Sequence, residues 1–178
     1  MKVVVIGNSG SGKTWLADQL ANQLAACASA TVIHLDELFW EPGGFDQKRS
    51  KDEVLSLIEI SKLNQSWVVE GVFGELAEHY FPEAETLVWL DLDWSTCKAR
   101  LERRETNMAI AQSQAGLAKL LAWASAYYSR TDKRSFEGHR ELFEQFTGIR
   151  IRLRSEEACN AFIADTQQGA KAYQADPR

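Results

Sequence analysis

The sequence has few cysteines and no long hydrophobic run. Its three cysteines, Cys27, Cys97 and Cys159, are far apart and form no CxxC pair. This spacing favours buried free thiols over disulfides or a cysteine metal site. No apolar stretch approaches the roughly 20 residues of a membrane span, and residues 1–2 lead into the first apolar run without a signal peptide. We therefore expect a cytoplasmic protein with no membrane partner.

Positive charge is also scarce. The chain has 20 Lys and Arg against 25 Asp and Glu, a formal net charge of −5 and a pI near 5.3. Broad nucleic-acid binding needs clustered Lys and Arg to neutralise phosphates, so this balance argues against nucleic acid as a partner. With 178 residues, 45% of them hydrophobic, the chain suits one domain over residues 1–178. The sequence leaves monomer and homodimer open.

A short apolar run, residues 3–6, passes directly into a glycine-rich turn and then into helix-forming sequence. The turn fits the pattern G-x-x-x-x-G-K-[ST], which cradles phosphates with backbone N–H groups and the start of a helix. We predict that nucleoside triphosphate contacts the whole turn and the backbone N–H of the residue after it: Gly7, Asn8, Ser9, Gly10, Ser11, Gly12, Lys13, Thr14 and Trp15. GTPases, ATPases and kinases share the pattern, so it does not identify the reaction.

Two residues of this turn have predicted chemical roles. Lys13, with its side chain on the surface of the turn and in contact with solvent, would neutralise the β and γ phosphates. The Thr14 hydroxyl would bind the Mg²⁺ that bridges those phosphates. Trp15 begins an amphipathic helix over residues 15–26, and its side chain is expected in the core.

Acidic residues follow two later predicted strands. Asp36 follows a strand over residues 31–35, and Glu70 follows a strand over residues 66–69. In an open α/β sheet ligands bind beyond the carboxyl ends of the strands, so Asp36 is predicted to face the phosphates and to orient or deprotonate an acceptor. The alternative is that Asp36 caps the next helix. The aromatic-rich loop that contains Pro42 to Phe45 is either an acceptor wall or core, within an acceptor region of about 36–66.

The second half of the chain contains candidate phosphate-binding arginines. A fourth strand over residues 86–90 precedes a helix that begins near Thr96, with Asp93 or Ser95 as its cap. Arg100 and Arg104 are four apart on this helix and therefore share a face, as a second phosphate clamp or as a solvated surface. We expect them to reach the phosphates only when a flap over residues 105–114 closes. Further helices are predicted over 51–63, 117–128 and 155–163, and a fifth strand over 148–153.

These motifs, in this order, resemble the nucleoside-monophosphate kinase branch of P-loop proteins. Within that branch the chain is most similar to the adenylate-kinase-related family of DNA topology modulation proteins. The resemblance covers most of the chain and rests on the residues Gly7 to Thr14, His34-Leu35-Asp36 with Trp40 and Pro42-Gly43, Trp67 to Gly71, Leu90-Asp91, Cys97 to Arg104, and Arg150 to Ser155.

The resemblance implies a three-layer α/β P-loop NTPase fold, similar to nucleoside-monophosphate kinases. It has a five-stranded parallel sheet of order 2-3-1-4-5 and a short lid, about residues 104–135. The lid-base arginines fall on Arg100 and Arg104, near adenine and phosphates. Glu70 stands where many relatives have Asp with a water-mediated metal role, and is one methylene longer.

We therefore expect an ATP-dependent phosphotransferase that uses Mg²⁺ and an unidentified small-molecule or nucleotide acceptor. The catalytic residues would be Lys13, Asp36, Arg100 and Arg104, and the metal residues Thr14 and Glu70. Two alternatives stay open. One is a nucleotide-binding regulatory P-loop ATPase that acts through a protein or DNA partner, and the other is a metabolite kinase of the shikimate or gluconate type.

Overall fold

The structure is a computed structural model that describes residues 1–24, 30–42, 47–107 and 114–174. Its five strands are β1 Lys2–Gly7, β2 Thr31–His34, β3 Trp67–Gly71, β4 Thr86–Leu90 and β5 Ile149–Leu153. All neighbouring strands pair in parallel, in the order β2-β3-β1-β4-β5. The predicted sheet order is confirmed.

The helices pack on both faces of this sheet. They are α1 Lys13–Leu24, α2 Leu35–Phe39, α3 Lys51–Lys62, α4 Gly74–Ala77, α5 Trp94–Asn107, α6 Gln114–Ser125, α7 Phe136–Gln145 and α8 Glu156–Gln174. Short 3-10 turns follow α4, at Glu78–Tyr80, and α6, at Ala126–Tyr128. Of the two predicted caps of α5, Asp93 and Ser95, it is Asp93 whose carboxylate accepts the Thr96 N–H, over 2.9 Å. The helix begins at Trp94, two residues before the predicted start.

The core is divided in two by the sheet, because successive strand side chains point to opposite faces. Val3 and Val5 pack with residues of α1, α5 and α8, whereas Val4 and Ile6 pack with residues of α3, α4 and α7. All four valine and isoleucine side chains are buried. A strand buried on both faces needs a continuous apolar run, which is the pattern of β1.

Strand register brings the predicted site together. β1 is central, with Ile6 beside Gly71 of β3 and Gly7 beside Leu90 of β4. The carboxyl ends of these strands therefore lie at one edge of the sheet, and the glycine-rich turn leaves β1 at that edge.

Two of the three cysteines lie in the described residues, and both Cys97 and Cys159 are buried free thiols, as predicted. Burial raises the pKa of the Cys97 thiol to about 11, so no thiolate forms there at neutral pH. Cys27 is outside the described residues. Within the part of the chain that the structure describes, no helix combines the length and the apolar character that a bilayer crossing requires.

Candidate active site

The turn between β1 and α1, residues 7–14, is called here the phosphate loop. Gly10 and Gly12 have φ values of +80° and +95°, a region that side chains with a Cβ rarely adopt. A Cβ on Gly10 would also lie 2.4 Å from the carbonyl oxygen of Cys97 in α5. The loop therefore depends on glycine both for its curvature and for its close approach to α5.

Lys13 is buried in this loop, with 8% of its surface exposed. Its ammonium donates to the Asn8 carbonyl oxygen over 2.9 Å. The prediction of a solvent-exposed side chain is wrong, because the loop curls over the ammonium and supplies a backbone acceptor for it. A buried cation at the start of a helix is suited to binding a phosphate.

Asn8 anchors the loop to α6. Its side chain is buried, with Nδ2 donating to the Ala124 carbonyl over 3.0 Å and Oδ1 accepting from the Ser9 N–H over 2.8 Å. Ser11 Oγ, in the same loop, is buried without a hydrogen-bond partner among the described residues. The sequence places Asn8 in the phosphate cradle but gives no sign of its bond to α6.

Glu70 lies beside the start of α1, and three elements meet at its carboxylate. Oε1 accepts from the Thr14 hydroxyl over 2.9 Å and lies 2.8 Å from His34 Nδ1. The side chain of Glu70 is 6% exposed. His34, the last residue of β2, is a site residue that we did not predict. The feature of the sequence that points to His34 as a site residue is its position near the end of a predicted strand, two residues before Asp36.

The pKa values of this group favour the charged forms. Burial raises the pKa of Glu70, but the hydrogen bond with His34 and the charge of Lys13 outweigh burial and lower it overall. The hydrogen bond to Glu70 raises the pKa of His34. Glu70 is therefore a carboxylate close to the phosphate loop.

Thr14 and Glu70 fit a Mg²⁺ site. Both offer oxygen, the ligand that this hard cation prefers, and Mg²⁺ is usually held by one or two carboxylates together with phosphates and waters. No group of three or more potential His, Cys, Asp or Glu ligands occurs among the described residues. The donor set thus suits a cation that completes its shell with nucleotide phosphates and water.

Arg100 lies against the phosphate loop in this structure. Nη1 donates to the Ser11 carbonyl over 2.7 Å, and Nε and Nη2 donate to Glu156 Oε1 over 3.1 and 2.6 Å. Arg100 thus contacts the loop directly, because α5 lies beside it. The prediction that its approach to the phosphates depends on closure of a flap stays a prediction. Arg104 belongs to α5, but its side chain is outside the described structure, as are residues 108–113 of the predicted flap.

The structure corrects two predictions about Asp36. β2 ends at His34, and Leu35 begins α2, so Asp36 is an exposed residue in the first turn of that helix. Capping by Asp36 is also wrong, since the cap residue is His34. The chain turns early because Leu35 is fully buried against Gly71.

The prediction that the Trp15 side chain lies in the core is also wrong. Trp15 is 45% exposed, whereas the next residue, Leu16, is buried.

Aromatic rings line the region after β2 and β3. Phe39 and Phe73 have ring centroids 4.4 Å apart, and Arg134 Cζ lies 4.7 and 4.4 Å from the two centroids. Arg134 Nε donates to Glu75 over 2.6 Å. Residues 43–46 of the predicted acceptor loop are outside the described residues, while Phe39 and Trp40 pack against the core.

The comparisons with known proteins agree with this architecture. Residues 3–116 match the model of the family described as AAA domain. A search of curated proteins finds no match. A gluconokinase from Sinorhizobium meliloti 1021 is similar in structure, at 15% identity over 97% of this chain and 92% of that chain, with a TM-score of 0.51.

A shikimate kinase from Acinetobacter baumannii, in complex with shikimate, is similar at 14% identity. The similarity covers 98% of this chain and 95% of that chain, with a TM-score of 0.53. Likeness at this identity establishes the shared fold, which is the P-loop kinase fold.

Proposed function

The chain belongs to the AAA domain family, and we propose that it is an ATP-dependent phosphotransferase. It would transfer the γ-phosphoryl group of ATP to a small-molecule or nucleotide acceptor. The observation that carries the proposal is the contact between Thr14 and Glu70, beside the buried ammonium of Lys13. A phosphate-binding lysine, a hydroxyl and a carboxylate within one site are the groups that a metal-assisted phosphoryl transfer requires.

Each group has a distinct task in this proposal. Lys13 exchanges the Asn8 carbonyl for phosphate oxygens and neutralises their charge. Thr14 and Glu70 would hold Mg²⁺, which would supply positive charge at the β and γ phosphates. Arg100 donates further N–H groups from the other side of the loop. Catalysis then consists of positioning and charge stabilisation, because phosphoryl transfer needs little covalent chemistry from the protein.

Asp36 is proposed to orient or deprotonate the acceptor. It belongs to α2, the element that follows the carboxyl end of β2, and ligands of open α/β sheets bind at that edge. Its exposure allows contact with a diffusing acceptor. Arg104 is proposed as a second lid-base arginine on grounds of sequence alone.

A metabolite kinase of the shikimate or gluconate type is the second candidate. Two kinases named for such substrates share the fold over 97% and 98% of this chain, and that likeness supports the candidate. This candidate differs from a nucleotide kinase only in the acceptor.

An acceptor screen with radiolabelled ATP and Mg²⁺ tests the proposal. The panel contains nucleosides, nucleoside monophosphates and small hydroxylated metabolites, and the Lys13→Ala variant serves as the control. We expect label transfer to one class of acceptor by the wild-type protein alone. Tight ATP binding without transfer to any member of the panel, accompanied by slow hydrolysis, would instead support a regulatory ATPase.

A further inference from the structure

Glu156 lies at the start of α8, 56 residues from Arg100 in sequence, and it shares the Arg100 guanidinium with the phosphate loop. We propose that Glu156 is a positioning residue, which aims Arg100 at the triphosphate. The inference rests on the proposed function, because it assumes that phosphates bind in the loop. It assigns a role to α8, which neither the sequence motifs nor the comparisons connect with the site.

The Arg100 guanidinium is held from two sides. On one side the Ser11 carbonyl of the loop accepts from Nη1, and on the other Glu156 Oε1 accepts from Nε and Nη2. An arginine has five N–H donors, and these bonds use three of them. Two donors have no acceptor among the described residues and are available to phosphate oxygens, in a plane whose orientation the two acceptors fix.

Arg100 is close enough to the loop for this orientation to matter. A Cβ built on Gly12 would lie 2.9 Å from Arg100 Nη1, so the guanidinium lies directly on the loop backbone. The carbonyl bond alone fixes one end of a long side chain with several rotatable bonds. The Glu156 carboxylate supplies the second constraint, and preorganised donors spend less of their interaction energy on ordering.

Glu156 is itself fixed relative to the loop. Ser155 caps α8 by accepting the Ala158 N–H over 3.1 Å. Farther along, α8 is tied to α1, since Gln23 Nε2 donates to the Ile163 carbonyl and Gln23 Oε1 accepts from Thr166. α1 begins at the phosphate loop, so these bonds join the helix that carries Glu156 to the helix that follows the loop.

A purely stabilising role does not account for the pair. The side chains of Arg100 and Glu156 are 26% and 56% exposed, and ion pairs so exposed contribute little to folding. The effect of Glu156 is therefore expected in ligand affinity and not in the melting temperature. Its negative charge near the triphosphate would by itself weaken binding, so a charge-matched control is needed.

Glu157 provides that control. It is the next residue of α8, it is exposed, and Glu157→Gln removes the same charge from the same helical turn. We would measure affinities for MgATP and for inorganic tripolyphosphate with Mg²⁺ by calorimetry. The proteins are the wild type, Glu156→Gln, Glu157→Gln, Arg100→Ala and the double variant of Arg100→Ala with Glu156→Gln, with thermal unfolding recorded for each.

We expect Glu156→Gln to bind both ligands about fivefold more weakly than Glu157→Gln, at an unchanged melting temperature. In the Arg100→Ala background the same substitution should have no further effect, because coupled residues are non-additive. Tripolyphosphate should show the full loss, since the proposal places Arg100 at the phosphates and not at the base.

Three results would overturn the inference while leaving the proposed function intact. They are equal affinities of Glu156→Gln and Glu157→Gln, a loss that persists without Arg100, and a loss for ATP that tripolyphosphate does not show. If the wild-type protein bound neither ligand, the proposed function itself would fail, which is a distinct outcome.

Discussion

The hydroxyl of Thr14 donates to the carboxylate of Glu70 over 2.9 Å, although the two residues are 56 positions apart. β3 pairs with β1 in a register that sets Glu70 beside Val5 and Gly71 beside Ile6. The end of β3 therefore lies next to the loop that leaves β1. Two residues assigned to Mg²⁺ from separate sequence motifs are in contact, and their role as metal ligands stays a prediction.

Replacing Glu70 by Gln should weaken ATP binding in Mg²⁺ by about 10- to 100-fold, the usual effect of losing a residue that supports a metal. In EDTA the variant should bind ATP at least as well as the wild type, because one negative charge near the phosphates is removed. Calorimetric titration with and without Mg²⁺ measures both effects. Glu70→Asp, which keeps the carboxylate, is the control. An unaltered Mg²⁺ dependence in Glu70→Gln would disprove the assignment.

Replacing Lys13 by Ala should have two effects. Loss of a charged hydrogen bond to phosphate should weaken ATP binding about 10- to 100-fold. Because Lys13 is buried and donates to the Asn8 carbonyl, its removal should also destabilise the fold by about 1–3 kcal/mol. Denaturant unfolding and calorimetry separate the two effects.

Lys51→Ala, at an exposed lysine that begins α3, is the control and should leave both stability and ATP affinity unchanged. Unchanged ATP affinity in a folded Lys13→Ala variant would remove the phosphate-site assignment.

Local patterns predicted the elements with strong signals. The β1 strand and the phosphate loop combine an apolar run with a specific glycine pattern, and both were predicted correctly. The strand order came from the family resemblance, because pairing between distant strands leaves no trace in a single strand. α7 was not predicted, although Ser135 caps it, because its many charged residues obscure the spacing of the apolar positions Leu142 and Phe143.

The errors in the site arise from tertiary contacts. Lys13 is buried because the loop folds back over its own side chain, and Arg100 meets Glu156 across two helices. The position of Asp36 depends on the burial of Leu35 beside Gly71. Two of these contacts join residues that are far apart in sequence, and the periodicity of the sequence carries no information about any of the three. The sequence therefore predicts the residue types of the site better than it predicts their arrangement.

A buried hydrogen-bond chain joins β4, the 3-10 turn after α6, α7 and the residue that follows β3. Trp89 Nε1 donates to the Tyr127 hydroxyl over 3.3 Å, and that hydroxyl lies 2.8 Å from His139 Nδ1. His139 Nε2 lies 3.0 Å from the Val72 carbonyl. A carbonyl only accepts, so Nε2 carries the proton and Nδ1 accepts from Tyr127. The chain is satisfied only while His139 is neutral.

Acidification should therefore destabilise the fold through His139. Burial lowers its pKa from 6.5 to about 3, so the unfolded state binds the proton first. The contribution of His139 is complete above pH 6.5 and is lost as the pH falls toward 3. Between pH 7 and 5 the loss in the free energy of unfolding should be about 2 kcal/mol.

His34 acts in the opposite sense, because its pKa is raised. Its contribution to stability is present below pH 6.5 and is lost as the pH rises through that raised pKa.

Denaturant unfolding of the wild type and of His139→Gln at pH 7 and pH 5 tests this linkage. The variant should be less stable at pH 7 but lack the His139 part of the pH dependence. If it does not fold, an NMR titration of the wild-type imidazole should find His139 neutral at pH 5. Protonation of His139 above pH 5 in the native protein would contradict the prediction.

The Asp36→Asn variant is the most direct test of whether the site transfers phosphate to an acceptor. It lies in the first turn of α2, is exposed and is not the cap of that helix, so Asp36→Asn should leave stability nearly unchanged. ATP binding should also stay close to wild type. If the carboxylate orients or deprotonates the acceptor, phosphoryl transfer should fall about 10²- to 10⁴-fold, the usual contribution of a positioned base.

Glu37→Gln removes the neighbouring charge from the same turn and should retain activity. This control separates a specific role of Asp36 from a general loss of negative charge. Wild-type turnover by Asp36→Asn with an identified acceptor would show that Asp36 is not catalytic.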